Sequence, residues 1–189
     1  FGRYGQIVSR VLLAQGQTCT VLDHDAEMIE AARKFGYRVF YGDATRLDLL
    51  RTAGAATAKV LVVAVDDVTQ SLEIVDLARE HFAQLQIVAR ARDVTHWNQL
   101  RDRNVTLIQR EMFESSLLSA RSVLELLGHS PEVAGAIVQR FRQHNLALFE
   151  QLHPYYKDTA KMISVVKQGR LQLEEQIAKE RAERQPPSV

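Results

Sequence analysis

Cysteine is nearly absent. Cys19 stands alone in 189 residues, so no internal disulfide can form and a reducing compartment is expected. It sits in the strand-like run Thr18–Leu22 with no Lys, Arg or His within three residues, the setting of a spacer and not of a thiolate nucleophile. An excess of one charge is also missing. Lys plus Arg number 24 against 23 Asp plus Glu, a net of +1, which denies the chain the broad cationic field that nucleic acid or anionic lipid would need, so nucleic acid is not an expected partner. Long apolar runs are lacking: the longest, Val60 to Val65, has six residues against the roughly 20 that cross a bilayer. The start has neither Met nor the charged-then-apolar pattern of a signal peptide, and the chain reads as a piece cut from something longer. Finally, the six histidines, His24, His81, His96, His129, His144 and His153, recur at no fixed spacing. They are expected to be surface or capping groups, with neither metal binding nor catalysis.

What remains is an ordinary globular composition, 46% apolar and 25% charged, enough to bury a core without metal or disulfide. Up to about residue 110, short β-branched runs alternate with amphipathic stretches. Strands are expected at Thr18–Leu22, Arg38–Tyr41, Val60–Val65, Gln86–Ala89 and Thr106–Ile108. Helices are expected at Tyr4–Gln15, Ala26–Phe35, Arg46–Ala53, Thr69–Phe82 and Val94–Arg103. Such alternation with short connections specifies an α/β, Rossmann-like doubly wound parallel sheet, here with its first strand missing or truncated. Gly16 and Gly36 fall where C-terminal caps belong, and Asp67 where an N-cap belongs.

Beyond this the pattern is helical. Phe113, Leu117, Ala120, Leu124 and Leu127 form a stripe, with Leu118 and Leu126 off it, so this helix needs more than one neighbour. Gly128 and Pro131 break the chain before a second helix, Pro131 to Leu152, and a charged helix then frays into Gln185-Pro186-Pro187. Three regions are expected: 1–109, a Rossmann-like nucleotide-binding domain; 110–152, dimerisation helices; and 153–189, a charged helical tail.

Gly2-Arg3-Tyr4-Gly5 opens directly into the first helix, and Asp23 closes the next strand 21 residues after Gly2. In a dinucleotide-binding βαβ unit the glycines admit a phosphate and pack helix on strand, the helix N-terminus attracts the anion, and the strand-end acid takes the ribose hydroxyls. Asp43, in Gly42-Asp43-Ala44-Thr45, and Asp66-Asp67 close two further strands on the same edge. They suit either a base and ribose or helix caps. The candidate nucleotide residues are therefore Gly2, Arg3, Gly5, Asp23, His24, Asp43, Ala44 and Asp66. A carboxylate at Asp23 repels a 2′-phosphate, favouring AMP or NAD(H) over NADP. Without a catalytic base or a substrate domain, the nucleotide is expected to be a regulator, and the chain not an enzyme.

The run Arg33-Lys34-Phe35-Gly36-Tyr37-Arg38-Val39-Phe40-Tyr41-Gly42-Asp43-Ala44-Thr45, with Leu49-Leu50 and Ala53-Gly54-Ala55, closely resembles the KTN (or RCK) domains that regulate potassium channels and transporters. Ala89-Arg90-Ala91-Arg92-Asp93 and Arg110-Glu111-Met112-Phe113-Glu114 narrow the resemblance to the Kef glutathione-gated potassium efflux systems, over residues 1 to about 152. The resemblance implies a cytoplasmic domain of a bacterial inner-membrane protein, a homodimer joined to a transmembrane antiporter module of the same chain and served by an ancillary quinone-reductase-like flavoprotein subunit. It implies a nucleotide in the cleft and glutathione, or its adducts, at the dimer interface, closing and opening potassium efflux respectively. Arg10, Arg110 and Asn145 match the family's glutathione-binding residues, and Phe35 the aromatic displaced by adducts. Arginine forks suit the two glutathione carboxylates, and Asn suits its peptide groups. The competing readings are a Trk- or channel-type subunit gated by nucleotide alone and a fragment of an NAD-dependent oxidoreductase.

Overall fold

A computed structural model describes residues 1–184; the expected fraying at Gln185-Pro186-Pro187 lies outside the described residues. The chain divides into two compact units, Phe1–Glu111 and the remainder from Met112.

In the first unit helices and strands alternate: α1 (Arg3–Ala14), β1 (Thr20–Asp23), α2 (Ala26–Lys34), β2 (Arg38–Tyr41), α3 (Leu47–Ala53), β3 (Val60–Val63), α4 (Val68–His81), β4 (Gln86–Ala91), α5 (Val94–Asp102) and β5 (Leu107–Arg110). Every pairing is parallel, Thr20 to Arg38 in one sheet, Val60 to Gln86 and Val88 to Leu107 in the other. The order is β1-β2 and β3-β4-β5. A doubly wound sheet places a strand between β1 and β3, and none occupies that position among the described residues. Apolar packing joins the two sheets nonetheless: Leu22 of β1 and Leu61 of β3 both lie against the cluster Leu50, Ala55, Phe82 and Leu85. A second cluster, Val21, Ala32 and Tyr37, is closed by Phe1, Cys19 and Val39. Burial there raises the Cys19 thiol pKa, which suits its reading as a spacer.

Strand ends follow pairing more closely than composition. Thr18 and Cys19 have no ladder partner, so β1 starts at Thr20. β3 stops at Val63, whose partner is Ala89, while β4 runs on to Ala91 because β5 continues opposite it. Caps follow local chemistry: Asp25, Asp67 and Asp93 each accept from amides in the first turn of α2, α4 and α5.

The second unit contains α6 (Phe113–Leu126), α7 (Pro131–Leu152), a 3-10 turn over His153–Tyr155 and α8 (Thr159–Arg184). Ser130 caps α7 and Pro131 occupies its first turn. Arg142 Nε donates to Glu114 Oε1 at 2.8 Å, tying α7 to α6. Of the stripe, Leu117 is buried and Phe113 and Leu124 are half-buried, whereas Ala120 and Leu127 are exposed, as are Leu118, Val123 and Leu126 off it. The last helix is not simply exposed. Gly169 is buried, and a Cβ there would meet Leu148 Cδ1 at 2.8 Å, so α8 packs closely on α7. No helix among the described residues is long and apolar enough to cross a membrane.

Candidate nucleotide site

Parallel strands deliver their carboxyl ends to one edge, and here that edge meets the first turn of α1. The amino group of Phe1 pairs with Asp23 at the end of β1. Gly5 lies beside Ala64, just past β3, and the Tyr4 ring lies 5.6 Å from the Arg90 guanidinium on β4. Gly2 is the N-cap of α1, with extended backbone and no side-chain cap, and no acid occupies the first turn. Helical bonding begins with Gln6 N–H donating to Gly2 O at 3.0 Å, so the amides before it lack a helical acceptor. That is the arrangement helices present to anions.

A Cβ built at Gly2 meets nothing within 4 Å, while one at Gly5 lies 3.8 Å from Ala64 Cβ, an ordinary contact. Space above Gly2 therefore suits an approaching ligand, and close helix packing alone does not account for Gly5. Arg3 is exposed beside them.

Asp23 Oδ1 accepts from Asp25 N–H at 2.9 Å. Burial acts to raise its pKa, but the hydrogen bonds from the Phe1 ammonium and Asp25 amide, with His24 nearby, outweigh it and hold the carboxyl below its usual range. Gly42 N–H donates to Asp23 O at 2.8 Å, fastening the turn Gly42-Asp43-Ala44 to the end of β1. Asp43 accepts from Thr45 N–H at 2.9 Å; bonds from Thr45, then nearby His24 and Arg46, lower its pKa. It closes its own turn and does not cap α3, whose N-cap is Arg46. Asp23, His24 and Asp43 thus lie together past the carboxyl ends of β1 and β2, with Ala44 next in the same turn.

Asp66 projects into solvent and pairs with Arg90, which the sequence displayed only as part of a run. Arg90 is 6% exposed and also lies 3.8 Å from Glu111. The hydrogen bond from Arg90 lowers the Asp66 pKa against slight burial, aided by the charges of Arg90, Arg3 and Arg92. Three arginines therefore stand around one carboxylate at this edge. Arg90, a buried cation invisible to periodicity, is the candidate that sequence reasoning missed; the signal was a charge inside the otherwise apolar run Ile87–Ala91.

The glutathione candidates do not form one cluster in the first unit. Arg10 is exposed on α1, Phe35 follows α2 at the amino end of β2 and is 63% exposed, and Arg110 closes β5 at its carboxyl end. The α2 apolar face is satisfied by Ile29 and Ala32, leaving the Phe35 ring outside. Asn145 lies on α7 in the second unit, half-buried.

His96 corrects another expectation. It is 1% exposed, wedged between α5 and α4. Arg92 N–H donates to its Nδ1 at 3.2 Å, which leaves the proton on Nε2 to reach Ser71 Oγ at 3.2 Å. Burial lowers its pKa, opposed by Asp93 and reinforced by Arg90 and Arg103. An unfolded imidazole takes up its proton near pH 6.5, whereas the folded one does so only at lower pH, so stability is full above about 6.5 and falls as pH drops through the folded pKa. Urea unfolding between pH 7.5 and 5.5 should show wild type losing stability at up to about 1.4 kcal/mol per unit more than His96→Gln. Equal slopes would show that His96 is not held neutral.

Residues 1–110 match the TrkA-N domain family. The chain belongs to that family. Residues 115–188 match the potassium efflux system KefB C-terminal domain. The chain is 46% identical over 181 residues to the glutathione-regulated potassium-efflux system protein KefC of Escherichia fergusonii and of Escherichia coli O139:H28, spanning 96% of itself and 29% of their length. Among solved structures it resembles the Kef CTD of Shewanella denitrificans in AMP-bound form, with TM-score 0.76, 44% identity, and 82% of this chain and 94% of that one covered. The TrkA-N domain of the Escherichia coli inner membrane protein ybaL gives TM-score 0.59 at 25% identity, covering 67% and 90%. This TrkA-N chain is thus similar in sequence and fold to the C-terminal domain of Kef potassium efflux proteins.

Proposed function

We propose that this TrkA-N chain is the cytoplasmic sensor of a potassium efflux transporter, holding AMP or NAD(H) at the first turn of α1 and answering to glutathione and its adducts. The observation that carries the nucleotide reading is the convergence of β1, β3 and β4 on that turn, with an ionised Asp23 on one side and Arg3, Arg90 and Arg92 on the other. A carboxylate suits ribose hydroxyls, and the arginines with the helix terminus suit a phosphate. AMP places both groups within one short ligand, and the Shewanella relative is described with AMP bound.

The effector part of the reading rests on Arg10, Arg110, Asn145 and Phe35. Because Phe35 and Arg110 stand at opposite ends of parallel strands, one peptide ligand reaches both only where two copies meet. The exposed Leu118, Val123, Leu126 and Leu127 of α6 offer a surface for such a homodimer. The KefC relatives are much longer than this chain, which fits a transmembrane antiporter module in the same polypeptide of a bacterial inner membrane. A quinone-reductase-like flavoprotein completes the assembly.

Calorimetry tests the nucleotide site. AMP should bind, and Asp23→Ala should weaken it by about 1–3 kcal/mol, the usual loss of a charged hydrogen bond. Unchanged affinity would remove Asp23 from the site; hydride transfer with NADH would instead support an oxidoreductase.

A further inference from the structure

A guanidinium buried in a strand needs partners, since an unpaired buried charge is severely destabilising. Arg90 finds them on three elements: Asp66 after β3, Glu111 after β5 at 3.8 Å, and the Tyr4 ring in the first turn of α1 at 5.6 Å. Its Nε is buried without a hydrogen-bond partner. Asp66 is 88% exposed and Glu111 29% exposed, so the Asp66 carboxylate returns to water at little cost while Glu111 gives up more. Glu111 N–H donates to Ala91 O at 3.0 Å, and the next residue, Met112, opens the helical unit.

We propose that Arg90 is a positioning residue for which the nucleotide phosphate and Glu111 compete, so that nucleotide occupancy loosens the end of β5. This rests on the nucleotide reading above. A phosphate entering at the α1 turn meets the same guanidinium that Asp66 and Glu111 already hold. Two anions sharing one cation repel each other and divide its charge, so the phosphate displaces Asp66 and weakens the pull on Glu111. The coupling is reciprocal: if the nucleotide weakens the Arg90–Glu111 pair, breaking that pair must strengthen nucleotide binding. Arg90 thereby links the cleft to the strand that carries Arg110 and to the point where the chain leaves the first unit.

The test uses AMP as probe. Glu111→Gln should bind AMP about three- to tenfold more tightly than wild type by calorimetry, the scale of a modest coupling between sites. In the Arg90→Lys background, which keeps the charge but loses the fork, the gain should shrink. In wild type alone, AMP should speed hydrogen exchange at the Glu111 amide by a similar factor, a readout that a merely structural arginine would not move. Circular dichroism checks that each variant folds, and wild-type exchange decides the matter even where Arg90→Lys does not. Equal or weaker AMP binding by a folded Glu111→Gln overturns the proposal, as does a full gain with Lys at 90 or an unaltered Glu111 amide. If wild type binds AMP in an Asp23-dependent way and these results still fail, only this proposal falls. If wild type binds no AMP, the nucleotide reading fails and takes the proposal with it.

Discussion

Arg110→Ala in the intact transporter should abolish the response of potassium efflux to glutathione and to its adducts alike, leaving efflux at its unregulated level. Arg110 closes β5 opposite Ala91, where the ladder holds its backbone and the side chain leaves at the carboxyl edge. A guanidinium there is suited to one of the two carboxylates that glutathione and every adduct share, since the bulky substituent resides on sulfur. Loss of a charge-assisted pair to a ligand carboxylate costs about 1.5–3 kcal/mol, enough to lower affinity more than tenfold. Phe35→Leu should act differently. The ring is exposed in the single chain, so its influence requires the second copy, and a smaller side chain should blunt adduct activation severalfold while sparing glutathione binding. Ligands shift a conformational equilibrium only by their differential affinity for its states, and Phe35 is where that difference would arise. Efflux measured from cells at matched expression decides it, with sedimentation of the purified chain showing a dimer. Adduct-triggered efflux at wild-type level in the Arg110 variant, or a monomer at micromolar concentration, would overturn the assignment.

Gly42→Val should destabilise the first unit by about 3 kcal/mol, combining strain at a backbone that β-branched residues avoid with overpacking. Gly42 has φ +148°, and a Cβ there would lie 2.5 Å from Leu49 Cδ2. Its amide also donates to Asp23 O, so any shift separates the Asp43 turn from the end of β1. Urea unfolding should register the loss, and adding Leu49→Ala should recover the steric part but not the backbone part. A Gly42→Val chain as stable as wild type would show that the turn relaxes freely.

Much of this molecule can be read in its amino acids because the relevant physics is local. A carboxylate one position before a helix caps it wherever the helix packs, so Asp67 is recognisable from its neighbours. The alternation of β-branched runs with amphipathic helices specifies parallel strands, and the spacing from Gly2 to Asp23 leaves the start of α1 beside a strand-end acid. Tertiary structure decided what depends on distant partners. Strand lengths follow from which neighbour supplies the ladder, so β4 extends to Ala91 only because Arg110 pairs with it. A charge inside an apolar run marks Arg90 as unusual, but its partners, and those of His96, are fixed only when Asp66, Glu111, Tyr4 and Ser71, none closer than 21 residues in sequence, come to lie against them. The reverse holds for Phe35, an apolar residue left outside because α2 buries Ile29 and Ala32 instead. Burial of a charge, or exposure of a ring, is settled by the sum of contacts from elements far apart in the chain, and no window of sequence contains that sum.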